Sequence, residues 1–340
     1  MTSFVPVAAD DTTTTHPALK PYAGMLMYKS IIAERPAEDW TFGELAANFP
    51  LFNIGTLLSG LNRLAELEDG APGSTWHRIY DDADCTDDPE KKDVGYWFFP
   101  ARPERVAEHG TQGAPFVIAV AGGAYTSVCT MAESMPVAAK LNDLGYDVFI
   151  HNYRVGVFGE SVMPAMPKPL DDMAAVWRHI DARRAEYGLG DRGYVVTGFS
   201  AAGNLTMEWG NKAVGYAHYG IPAPVALFPI YGLPVLDAGD EGGFFRAVTL
   251  GKDASDELAE RYDVLKQMDG GYPPCYVVHG KRDSICPVAH SLRFKEALDA
   301  NGVTSRLEIA ETADHGFGDG QGTDAEGWPV RAVHFLERLI

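Results

Sequence analysis

Ser200, Asp283 and His315 follow one another along a chain of 340 residues, each just after a strand-like apolar run. Together these three side chains can carry acyl-transfer chemistry. Ser200 sits in Gly198-Phe199-Ser200-Ala201-Ala202-Gly203, between the run Tyr194–Thr197 and the helix-compatible stretch Asn204–Trp209. A serine at a sharp strand-to-helix turn has its hydroxyl exposed, and the helix N-terminus beneath it favours developing negative charge. The hydroxyl is a poor nucleophile at its own pKa and needs a base within hydrogen-bond reach. His315, in the glycine-rich turn Ala313–Gly318, can take that proton and return it to a leaving group. Asp283, after the run Pro274–Gly280, can hold the imidazole in the right tautomer and stabilise its cation.

Other residues compete for these roles. Asp314 adjoins His315, but a neighbour in sequence usually points away from the ring, so Asp283 is the expected acid. Asp237 and Asp240 are weaker alternatives in an irregular segment. His279 lies within the run before Asp283, while His290 and His334 fall in helical stretches, where packing or surface roles are expected. A fourth element is Ala121-Gly122-Gly123-Ala124-Tyr125, directly after Phe116–Val120. A small-residue turn there brings backbone N–H groups to an oxyanion, so Gly123, Ala124 and Ala201 are the expected donors. A dinucleotide-binding loop is the other reading of such a turn, but Gly-x-Gly-x-x-Gly is absent. Tyr125, Phe158, Tyr231 and Phe317 are the expected substrate contacts.

The ordered set Val120–Tyr125, Glu133–Ala138, Leu144–Phe149, Tyr153–Val155, Pro169–Met173, Gly198–Ala201 and Asp314–Gly318 resembles a known group. It is similar to the acetyl esterase/lipase branch of the α/β-hydrolase superfamily, which includes acetylxylan- and feruloyl-esterase-like proteins. The resemblance covers roughly residues 90 to 340. It implies a serine carboxylesterase acting on short acyl esters, acetylated sugars among them, through a Ser-His-Asp triad and without a cofactor or metal. Two positions depart from the pattern. Ala124 stands where the oxyanion turn would carry a third glycine, and Ala202 replaces the glycine after the elbow. Two alternatives stay open beside the esterase. One is a serine peptidase of the prolyl-oligopeptidase type, and the other is a non-catalytic ligand receptor on the same fold.

Composition narrows the partners. A formal charge of −19 disfavours nucleic acid and anionic membrane surfaces, since phosphate recognition needs clustered Lys and Arg. A small-molecule ester is the expected partner, with a homo-oligomer as a further option. Four scattered cysteines without metal spacing fit reduced thiols, and the first residues lack a signal-peptide pattern, so a cytoplasmic location is expected.

These residues need a scaffold. Strand-like runs at 94–99, 116–120, 146–151, 194–198, 225–230, 275–280 and 305–310 alternate with helical stretches. That alternation predicts an α/β-hydrolase fold, a mostly parallel twisted sheet of about eight strands with helices on both faces. Residues 91–340 would form the catalytic domain, and 1–90 an N-terminal helical extension packed on it, with 1–20 mobile. Thr41-Phe42-Gly43-Glu44 reads as a capping box. Ile54, Leu57, Leu58, Leu61 and Leu64 then repeat at helical spacing, with Asn53, Asn62 and Arg63 outside the stripe. Gly156–Pro169 and Tyr231–Gly271 are irregular and are candidate pocket walls.

Overall fold

Runs of β-branched and aromatic residues form one eight-stranded sheet in a computed structural model of the protein, which describes residues 4–29, 37–49, 51–106, 113–157, 163–236 and 243–340. The strands are β1 Trp76–Arg78, β2 Gly95–Phe99, β3 Phe116–Val120, β4 Val148–Asn152, β5 Tyr194–Phe199, β6 Ala226–Ile230, β7 Cys275–Gly280 and β8 Ser305–Ala310. Their order across the sheet is β1-β2-β4-β3-β5-β6-β7-β8. The pairs β1·β2 and β2·β4 are antiparallel, and every later pair is parallel. Strands β3 to β7 are buried along their whole length, as strands covered on both faces must be. The expected fold class holds, and the three-residue β1 is the strand that periodicity alone does not reveal.

The helices are α1 Phe42–Asn48, α2 Ile54–Leu67, α3 Pro103–Val106, α4 Ser134–Asp143, α5 Lys168–Ala182 and α6 Arg184–Tyr187. They continue with α7 Ala201–Gly210, α8 Phe244–Leu250, α9 Asp256–Arg261, α10 Val264–Gln267, α11 Ala289–Ala300 and α12 Trp328–Leu336. The capping box forms at α1: Thr41 Oγ1 accepts the Glu44 N–H at 3.1 Å, and Glu44 Oε2 accepts the Thr41 N–H at 2.9 Å.

The stripe on α2 finds its partner within the chain. Leu57, Leu61 and Leu64 are fully buried, worth roughly 2 kcal/mol apiece, and α2 packs on α4. Gly60 lies at that crossing, where a Cβ would come within 2.6 Å of the Pro136 nitrogen. Arg63, expected outside the stripe, is buried instead, donating to Asn142 Oδ1 at 3.0 Å and to the Pro100 carbonyl at 2.8 Å. Val7, Thr13, His16 and Leu19 are buried, and the Val7 N–H donates to Asn62 Oδ1 at 2.8 Å. The polar composition of this segment hides its few apolar anchors.

Tyr153-Arg154 and Asp172, two pieces of the family-like pattern, serve the scaffold. Arg154 Nη2 and Nε donate to Asp172 at 2.6 and 3.0 Å, tying the end of β4 to α5. Among the described residues, no helix is long and apolar enough to cross a membrane.

Candidate active site

Parallel strands deliver their following loops to one edge of a sheet, and ligands gather where the strand order reverses. Here β3 lies between β4 and β5, so the loops after β3 and β5 meet at that reversal. Ser200 follows β5, the turn Gly122–Tyr125 follows β3, and the loops after β7 and β8 carry Asp283 and His315.

Ser200 has φ 54° and ψ −119°, a strained conformation for a side-chain-bearing residue. Its N–H donates to the Ile230 carbonyl at 3.0 Å, which pins the turn to the neighbouring strand. Ala201 opens α7, so its N–H lies among those that a helix leaves without an internal acceptor. Ala202 fits because the tight contact lies one residue on. A Cβ on Gly203 would sit 2.8 Å from Gly232 Cα, whereas the Ala202 methyl is simply buried.

The structure brings Ser200, His315 and Asp283 into one hydrogen-bonded chain. His315 Nδ1 lies 2.8 Å from Asp283 Oδ2, and His315 Nε2 lies 2.8 Å from Ser200 Oγ. A carboxylate only accepts, so Nδ1 carries the proton and Nε2 is left to accept from the serine hydroxyl. Asp283 is held by two further backbone donors, Ile285 N–H at 3.0 Å and Cys286 N–H at 2.6 Å, both on Oδ1. His279 Nε2 adds a contact of 3.2 Å to Oδ2. Burial would push the Asp283 carboxyl up, but His279 and His315 hold it well below the usual carboxylate range.

Asp314 faces elsewhere: its Oδ1 accepts from the Ser284 N–H at 2.8 Å and the Ser284 hydroxyl at 2.9 Å. Asp237 and Asp240 lie outside the described residues. The His315 loop is steadied from below. Asp324 accepts the N–H groups of Thr312 and Ala313, at 3.0 and 3.1 Å, and the Trp328 indole donates to the Gly318 carbonyl at 2.9 Å.

The turn after β3 is built for close approach. Gly122 presses on the elbow, where a Cβ would come within 2.7 Å of Ser200 Cβ and 2.5 Å of the Phe199 carbonyl. Gly123, Ala124 and Tyr125 then take φ of 133°, 53° and 58°, so an alanine occupies left-handed backbone where glycine is favoured. Among the described residues, the N–H groups of Gly123 and Ala124 take no acceptor in the protein. The Gly122 N–H instead donates to Glu133 Oε2 at 2.6 Å.

A cavity of about 690 Å³ opens over Ser200 and His315. Leu51 and Phe52 from the α1–α2 connection, Phe244 and Phe245 of α8, and Ile285 and Pro287 supply apolar walls. Polar groups come from Glu133, Ser284, His290 and Arg293. Cys129 also lines it, but burial pushes that thiol up to about 12, so it stays protonated at neutral pH and does not rival Ser200.

Three of the aromatic residues expected at the substrate lie behind the site instead. Tyr125 is buried, with its hydroxyl turned back to donate to Asn204 Oδ1 at 2.8 Å. Tyr231 is fully buried, its ring centroid 4.8 Å from that of His315 and 4.6 Å from that of Phe317. Phe317 is buried against it, and Phe158 lies outside the described residues. The reason is common to all three: these rings follow strand ends, where the core beneath the site offers more apolar contact than the cavity. His290, expected to pack or face solvent, lines the cavity. Leu51, Phe52 and Arg293 carried no signal in sequence, because each reaches the site only through tertiary packing, and Glu133 entered only as one position of the family-like pattern.

Solved structures share this arrangement of sheet and helices. The acetyl ester-xyloside bifunctional hydrolase from Caldicellulosiruptor lactoaceticus matches with a TM-score of 0.61 at 21% identity, covering 78% of this chain and 96% of that one. The chain has the α/β-hydrolase fold. A carboxylesterase from Lactobacillus plantarum WCFS1 matches this chain with a TM-score of 0.58 at 18% identity, over 72% and 92% of the two chains. Residues 106–215 of the chain, from before the turn after β3 through the turn at Ser200, match the BD-FAE family model. Endo-1,4-beta-xylanase B of Butyrivibrio fibrisolvens is 24% identical over 221 residues, which is 62% of this chain and 34% of the xylanase. The chain thus spans about a third of that relative's length.

Proposed function

We propose that this chain is a serine carboxylesterase that hydrolyses short-chain acyl esters, acetylated sugars among its candidate substrates. One observation carries the reading: the relay from Ser200 through His315 to Asp283, with both contacts at 2.8 Å, within one cavity. The acetyl ester-xyloside hydrolase and the carboxylesterase named above support the choice of ester over amide as the scissile bond.

In this mechanism Ser200 Oγ attacks the ester carbonyl carbon as its proton passes to His315 Nε2. The carbonyl oxygen becomes an oxyanion facing the N–H groups of Gly123, Ala124 and Ala201, where one donor is worth about 3 kcal/mol in the transition state. Asp283, ionised and held by four N–H donors, stabilises the imidazolium without taking its proton. Collapse breaks the bond to the alcohol oxygen, which leaves with the proton from His315. A water molecule then gives a proton to His315 and attacks the acyl-enzyme, and Ser200 recovers its proton as the carboxylic acid departs.

In this reading the acyl group lies toward Ala124, Ala132 and Glu133, and the alcohol portion toward Phe52, Phe244 and Phe245, all of which line the one cavity. A long acyl tail beside the buried Glu133 carboxyl would meet a polar wall. The test is labelling by a fluorophosphonate, with the modified peptide identified by mass spectrometry, alongside hydrolysis of 4-nitrophenyl acetate. Labelling at Ser200 with ester turnover is expected. Turnover that survives Ser200→Ala would refute the reading.

A further inference from the structure

Glu133 is the only carboxylate among the described residues that line the cavity, and the acyl-transfer steps make no use of it. Burying a carboxylate is costly unless its oxygens are hydrogen-bonded, so its partners reveal what it holds. Oε2 accepts the Gly122 N–H at 2.6 Å, and Oε1 accepts the Tyr231 hydroxyl at 3.0 Å. The two donors stand on different strand ends, one after β3 and the other after β6. Gly122 presses directly on the elbow, and the Tyr231 ring packs on the His315 imidazole. Tyr231 also holds a left-handed φ of 38°, a conformation that needs surrounding contacts to keep it. One carboxylate therefore joins the oxyanion turn, the nucleophile turn and the face of the base.

We propose that Glu133 is a positioning residue that fixes the oxyanion turn and the His315 ring relative to Ser200. This role rests on the serine esterase reading. Burial pushes the Glu133 carboxyl up, while the Gly122 N–H, His315 and the Tyr231 hydroxyl favour its charged form. The other ionisable groups around His315 are Asp283, Asp314 and, across the cavity, His290 and Arg293.

Glu133→Gln keeps the volume but offers one acceptor oxygen to two donors, and Tyr231→Phe removes one of those donors. Loosening the site by about an ångström can cost on the order of a hundredfold in rate. With 4-nitrophenyl acetate, Glu133→Gln should lower kcat by at least about 30-fold with KM within about threefold, since positioning acts on the transition state. Tyr231→Phe should lower kcat by about fivefold or more, and the double variant should be no worse than Glu133→Gln by more than about twofold, because both act through one contact. A rise in KM at constant kcat would make Glu133 a substrate contact instead, and fully additive losses would break the link to Tyr231. Either result overturns the proposal. If thermal denaturation shows that Glu133→Gln does not fold, Tyr231→Phe decides alone, and kcat within twofold of the parent overturns it. The low-field proton resonance of His315 Nδ1–H separates this role from the esterase reading. It should shift or broaden in Glu133→Gln even if the parent protein neither turns over nor labels, and an unchanged resonance rules the positioning role out.

Discussion

His279 Nε2 lies 3.2 Å from Asp283 Oδ2, the same oxygen that binds the His315 imidazole. The second ring is also anchored away from the site, with Nε2 donating to the Cys286 carbonyl at 2.7 Å and Nδ1 accepting from the Ser291 hydroxyl at 2.7 Å. With these partners the Nε2–H is bifurcated between the Cys286 carbonyl and Asp283. The carboxylate is thereby held in place from two sides.

Ser200→Ala should abolish esterase turnover, with a loss on the order of 10⁶ in kcat, because triad members act as a unit. His315→Ala should be comparably damaging, while His334→Ala should leave the rate within about twofold. Circular dichroism should show the fold intact in each variant. Activity of Ser200→Ala within tenfold of the parent would remove the serine from the mechanism.

Asp283→Asn should cost about 10⁴ in kcat by favouring the wrong imidazole tautomer. Asp314→Asn should cost far less, since that carboxylate serves the Ser284 N–H and hydroxyl. Steady-state kinetics on the two variants checks the assignment, and a reversed order would make Asp314 the acid.

The same Asp283 links stability to pH. Its folded-state carboxyl is held well below its unfolded value, so its contribution is fully present above about pH 4 and is lost as pH falls below that. Urea denaturation at pH 7, 5, 4 and 3 should show the parent's advantage over Asp283→Asn constant at first and then narrowing below about pH 4. An advantage that grows on acidification would contradict the sign.

Backbone strain at the elbow is measurable as well. Ser200→Gly removes the Cβ from a residue at φ 54°, whereas Ser200→Ala keeps it. The glycine variant should be the more stable of the two by about 1 kcal/mol, the scale of such strain. Equal denaturation midpoints would mean that the turn is not strained.

Acyl-chain preference tests how the cavity is divided. With 4-nitrophenyl esters, kcat/KM for acetate or propionate should exceed that for octanoate by at least about tenfold, roughly 1.4 kcal/mol. Burial of methylenes pulls the other way, at about 0.8 kcal/mol each, if the tail reaches the apolar walls instead. Values that rise from acetate to octanoate would place the acyl chain toward Phe244 and Phe245.

The order Ser200, Asp283, His315 and the strand runs before each are local properties of the chain, and they were legible because alternating runs and turn residues act over a few positions. The parallel sheet followed from the same runs, and with it the edge to which these loops are delivered. What lines the cavity was not legible. Leu51 and Phe52 reach it because α2 folds back on α4, and Phe244 and Phe245 because α8 closes over the same edge, across separations for which no local pattern codes. Tyr125, Tyr231 and Phe317 read as substrate contacts by their neighbours in sequence, yet packing turns their rings inward. Glu133 looked like one polar position in a helix start. Its meaning came only when Gly122 and Tyr231, 11 positions before and 98 after, brought it the two donors that a buried carboxylate requires. Hydrogen-bond partners for a buried charge are supplied by tertiary contact, and that is where the sequence alone falls silent.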